Sequence, residues 1–137
     1  MRRLVRLALV LFALASCQSS NRPPAIQAGS ECARCGMTIG DLRFACESQG
    51  QDGWRQYDSI ECLVGDSPRG PIWLADYDSR ALVPADSLWV VKGDFPSPMG
   101  GGLAAFRDRA AADDIASRTH GRVGRLAEVA GSRENPS

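Results

Sequence analysis

The stretch DLRFACESQGQDGWRQYDSIECLVGDSPRGPIWLADYD, residues 41–78, decides the fold. Leu42-Arg43-Phe44-Ala45-Cys46-Glu47 alternates as a half-buried strand does, and Gln49-Gly50-Gln51-Asp52-Gly53 carries turn chemistry. Trp54 to Tyr57 alternates again, so the two runs read as a hairpin. Asp58 or Ser59 can cap a short helix through Ile60-Glu61-Cys62-Leu63-Val64, which Pro68 and Gly70 end. Pro71 to Tyr77 is then a third strand, giving the order ββαβ. The chain repeats that order. Leu88 to Lys92 is rich in β-formers, and Gly100 to Phe106 leads from a loop into a short strand. Arg107 or Asp108 opens an Ala-rich helix from Arg109 to Thr119, His120-Gly121 ends it, and Arg122 to Val129 is a last strand. Neither unit, residues 31–80 or 81–130, can bury a core alone. The expected architecture is therefore α+β, two small ββαβ halves packed together.

The flanks are of another kind. MRRLVR is a cationic start, Leu7 to Ala15 is apolar, and Leu14-Ala15-Ser16-Cys17 closes the segment with small residues before a cysteine. The apolar run is too short to span a bilayer, so residues 1–17 read as a signal peptide. The ending resembles a bacterial lipobox, which implies that Cys17 is lipid-modified and anchors the chain to the periplasmic face of a cell-envelope membrane. Residues 18–30, QSSNRPPAIQAGS, read as a flexible tether, and residues 131–137 as a disordered tail. Beyond the leader there are 13 basic and 16 acidic side chains. That balance disfavours nucleic acid as a partner, because phosphate binding needs clustered cations. A single lysine (Lys92) and a single histidine (His120) argue against lysine chemistry and a multi-histidine metal site.

What is abundant is sulfur. Cys32-Ala33-Arg34-Cys35-Gly36-Met37 places three soft donors within six residues, and Gly36 lets the chain turn so that Cys35 and Met37 can face one ion. Met99 sits in the loop Pro96-Ser97-Pro98-Met99-Gly100-Gly101-Gly102, stiff first and then flexible. Four readings of the cysteine pair compete. An exported domain can close it as a structural disulfide. Zinc could take Cys32, Cys35, Cys46 and Cys62, although the last two are not a close pair. A thioredoxin-like redox pair needs a preceding buried strand, and here only a tether precedes. Soft-metal binding, with Cu(I) as the ion, is the preferred expectation.

The lipobox, the Cys-x-x-Cys-Gly-Met segment, the Tyr57-Asp58-Ser59 step with Cys62-Leu63, and the Met99-Gly100 loop before an Ala-rich helix stand in one collinear order over residues 14–130. In that order they resemble the NosL family, lipoproteins accessory to nitrous-oxide reductase. The resemblance implies two ββαβ halves related to the organomercurial lyase core. It also implies a non-enzymatic role: a periplasmic Cu(I) metallochaperone serving the copper–sulfide centre of nitrous-oxide reductase or its assembly proteins. Carried over by position, Cys35, Met37 and Met99 are the implied copper ligands, and Cys32 completes the CxxC form. Where many relatives carry a second carboxylate, this chain has Ser59.

The remaining residues have plainer expectations. Cys46 and Cys62 read as buried small hydrophobes, with a disulfide between them left open. Asp58 reads chiefly as a helix cap, His120 as a helix-end residue, and Trp54, Trp73 and Trp89 as core, with Cys62 and Asp58 kept as secondary site candidates. Two other functions remain as alternatives. One is an organomercurial-lyase-like enzyme using Cys35, Cys62 and Asp58; the other is a general copper buffer without a dedicated client.

Overall fold

The computed structural model describes residues 21–131. The expected leader with Cys17, the start of the tether (18–20) and the tail after Gly131 lie outside the described residues. The first half contains β1 (Cys46–Gly50), β2 (Gly53–Tyr57), α1 (Ile60–Gly65) and β3 (Ile72–Ala75). Strand β4 (Leu82–Pro84) is added to it, followed by a single 3-10 turn at Ala85–Ser87. The second half contains β5 (Trp89–Lys92), β6 (Leu103–Phe106), α2 (Arg109–Arg118) and β7 (Arg122–Gly124), closed by α3 (Leu126–Ala130).

The two halves share one topology. In each, the first strand is central, with its hairpin partner on one side and the strand after the helix on the other: β2-β1-β3-β4 and β6-β5-β7, every pairing antiparallel. A parallel bridge between Asp76 and Ala105 joins the sheets. Their cores are not separate. One cluster takes Cys46, Tyr57, Leu63 and Leu74 from the first half and Leu88, Val90, Leu103 and Val129 from the second. The ββαβ duplication is thus a packed pair, as expected for units too small to stand alone.

Four local expectations differ. The first strand starts at Cys46 rather than Leu42, because Asp41 competes for the backbone: its carboxylate accepts from Arg43 N–H at 3.1 Å and its carbonyl from Phe44 N–H at 3.2 Å. The last strand stops at Gly124, because the Glu128 carboxylate turns back to accept from Arg125 N–H at 2.7 Å and caps the start of α3. Trp54, Trp73 and Trp89 do lie in strands but are only half-buried. Trp89 is held between the guanidinium groups of Arg109 and Arg125, 4.5 and 3.7 Å from its ring centre. Finally, the segment expected to be a free tether lies against the domain. Pro23 is buried, Gly29 N–H donates to Ile39 C=O at 3.0 Å, and Ile39 N–H to Ser30 C=O at 2.7 Å. No helix among the described residues is long and apolar enough to cross a membrane.

Candidate metal centre

Two segments build the site. The first is the loop from Glu31 to Thr38, whose ends form an antiparallel bridge. Inside it Cys32 N–H donates to Met37 C=O at 2.8 Å and Gly36 N–H to Cys32 C=O at 2.9 Å. Gly36 has φ +73°, the left-handed region where a side chain is strained. Ala33 N–H donates to Gln56 C=O at 2.7 Å, which fastens the loop to β2 just ahead of Asp58. The second segment is the start of α1. Ser59 is extended (φ −155°) and its hydroxyl accepts from Cys62 N–H at 3.1 Å. The cap that begins the helix therefore also fixes Cys62.

Together the segments bring one donor atom each from Cys32, Cys35, Asp58 and Cys62 within 4.8 Å of one another, an arrangement able to hold a metal ion. Cys32, Asp58 and Cys62 are buried while Cys35 is exposed, so the cluster opens to solvent through one thiol. Cys35 Sγ donates to Asp58 Oδ2 at 3.8 Å, and Asp58 Oδ1 is buried with no partner among the described residues. Such an orphaned carboxylate oxygen is costly in an interior unless a cation or proton comes to it. Burial first, and hydrogen bonding to Asp58 and Cys35 next, push the Cys62 thiol up to about 12. A thiol so disposed stays protonated until a cation takes the proton's place.

Several expectations change here. Asp58 is not the helix cap; Ser59 is, which frees Asp58 to face the thiols. Cys62 is not merely a small hydrophobe, because it belongs to the cluster. Cys46 fits its plain expectation. It is fully buried, its thiol donates to Ser59 C=O at 3.1 Å, and burial pushes its pKa well up. The four-cysteine zinc set is thus gathered only in part, with Asp58 and not Cys46 as the fourth member. Cys32, Cys35, Cys46 and Cys62 are all free thiols, so neither possible disulfide is formed. Met37 does not pack inward, being 50% exposed. Met99 is 41% exposed, on a loop that reaches the first half at Glu61, the residue before Cys62. His120 lies at the end of α2, exposed, with φ +49° and Asp94 3.8 Å away, outside the cluster.

Comparison with known proteins supplies the family. The NosL family model matches residues 23–133, most of the chain. The chain belongs to the NosL family. The crystal structure of the copper chaperone NosL from Shewanella denitrificans is similar to it with a TM-score of 0.68 at 17% identity, over 79% of this chain and 95% of that one. At that identity the likeness speaks for the fold, which is the NosL fold. None of the curated proteins matches the chain.

Proposed function

We propose that this NosL-family chain is a Cu(I)-binding metallochaperone, not an enzyme, anchored through Cys17 to the periplasmic face of a membrane, with nitrous-oxide reductase or its assembly proteins as client. The observation that carries this reading is the convergence of Cys32, Cys35 and Cys62 with Asp58. Three thiols around one point suit a soft monovalent ion, which is satisfied by two or three sulfur donors, better than a hard cation. Chemically the cargo displaces thiol protons, and the negative charge that burial disfavours is neutralised by the ion. Release starts at Cys35, the exposed member, where a client's thiolate or thioether can enter before the buried ligands let go. Met37 and Met99, exposed sulfur donors, serve that exchange.

Anaerobic competition titration of the full chain tests the choice of ion. Cu(I) should be held far more tightly than Zn(II); equal or better zinc retention, with unfolding on chelation, would favour a structural-zinc site. The anchor has its own test, since Cys17→Ser should abolish lipidation and release the chain from the membrane fraction without changing its fold. A second reading gains from the geometry, because Cys35, Cys62 and Asp58 stand together as a carbon–mercury lyase would need: two thiolates to grip mercury and a carboxyl to protonate the leaving carbon. Release of benzene from phenylmercury by the reduced chain would favour it, and its absence leaves the chaperone.

A further inference from the structure

The Met99 loop is closed by its own hydrogen bonds. Gly102 N–H donates to Ser97 Oγ at 2.9 Å, Gly100 N–H to Ser97 C=O at 3.0 Å, and Gly93 N–H to Gly102 C=O at 3.0 Å. Gly100 and Gly102 both have left-handed φ, +74° and +64°, so Met99 stands at the tip of a tight reversal. All of these contacts lie within the second half. Among the described residues, Glu61 ties the loop to the first half. Ser97 Oγ donates to Glu61 Oε1 at 3.3 Å, and Gly101 lies so close beneath that a Cβ there would sit 2.5 Å from Oε1 and 2.7 Å from Cγ. Glu61 Oε2 is buried with no partner among the described residues, which is a poor arrangement for a side chain kept only for packing. Glu61 also directly precedes Cys62 and lies near enough for its charge to act on the Cys46 thiol.

We propose that Glu61 is a positioning residue, a latch that seats the Met99 loop on the start of α1 so that Met99 reaches the ion held by Cys32, Cys35 and Cys62. The proposal rests on the copper reading above and adds how the second half joins the site. Gly101 belongs to the same device, since its missing Cβ is the space that Glu61 occupies.

A double-mutant cycle on the full chain tests it. Glu61→Ala should lower Cu(I) affinity about 10- to 100-fold, as loss of a ligand-orienting partner does. Met99→Ala should cost as much, and the double variant no more than Met99→Ala alone. Glu61→Gln keeps the acceptor for Ser97 and should bind as the parent does. In the parent and in Glu61→Gln the Met99 methyl NMR resonance should shift on copper loading, and in Glu61→Ala it should not. Additive losses, a Glu61→Gln defect equal to that of Glu61→Ala, or a shift that persists in Glu61→Ala would each overturn the latch. If the parent takes no Cu(I), the copper reading fails by itself, and backbone relaxation of the metal-free chain decides the latch. Glu61→Ala must then mobilise Met99 to Gly101 while Glu61→Gln does not; equal relaxation in all three rejects it.

Discussion

Cys35 and Cys46 separate metal holding from core packing, because the fold puts one at the surface and the other at zero exposure. Cys35→Ala removes an exposed thiol that makes a long S–H contact to Asp58 Oδ2 at 3.8 Å. Surface changes of that kind stay within about 0.5 kcal/mol, so urea midpoint and slope should hardly move. Cu(I) affinity should nevertheless fall by roughly 100-fold or more, since a thiolate ligand matters more than the outer partners whose loss costs ~10- to 100-fold. Cys46→Ala reverses the pattern. It leaves a void in the shared core and strips Ser59 C=O of the thiol at 3.1 Å, together costing about 1–3 kcal/mol. The melting temperature should drop by several degrees while Cu(I) affinity, corrected for the folded fraction, stays at the parent value. Chemical denaturation paired with competition titration reads both. Tight copper binding in Cys35→Ala, or copper loss in Cys46→Ala without loss of stability, would refute the division.

Two further outcomes follow from particular residues. Burial alone would raise the Asp76 carboxyl, but hydrogen bonds from Ser79 and from Arg107 N–H together hold it below its ordinary 3.8. Its stabilisation is therefore complete above that value and is lost as pH falls through the lower native one. Asp76→Asn should cost about 1–3 kcal/mol at neutral pH and flatten the stability profile below pH ~4, measured by urea unfolding across pH. The Asp41 and Asp66 carboxyls, also held low by arginine and tyrosine partners, leave some slope behind. Gly36→Ala meets no atom within 4 Å, so its cost is backbone strain alone at φ +73°, about 1–2 kcal/mol by thermal unfolding, accompanied by weaker copper binding.

Much of the fold was legible because hydrophobic alternation and caps lie close together in the chain. The hairpin of β1 and β2, the helix from Ile60 and the Ala-rich helix from Arg109 all stand near where their local patterns put them. The duplication was legible for the same reason. The misses have local causes too. Leu42 and Phe44 alternate like a strand, yet the Asp41 carboxylate turns the chain first. Leu82-Val83-Pro84 is too short, and too close to a proline, to announce an edge strand. The site was half legible. Cys32 and Cys35 declare themselves by spacing, whereas Cys62 and Asp58 join them only through tertiary packing. The available signal was that Ser59 stands three residues before Cys62: with the serine as cap, Asp58 is left free to face the thiols. Glu61 gave none, since nothing local says that a glycine loop 40 residues later will close over it.

Copper X-ray absorption on the anaerobically loaded full chain addresses the thiol site most directly. The fine structure should show a shell of about three or four sulfur atoms around Cu(I), losing one sulfur in Cys35→Ala and one in Cys62→Ala while Cys46→Ala leaves it intact. A shell dominated by nitrogen or oxygen, or one unaltered by removal of Cys62, would contradict the assignment of Cys32, Cys35 and Cys62 as the centre that holds the ion.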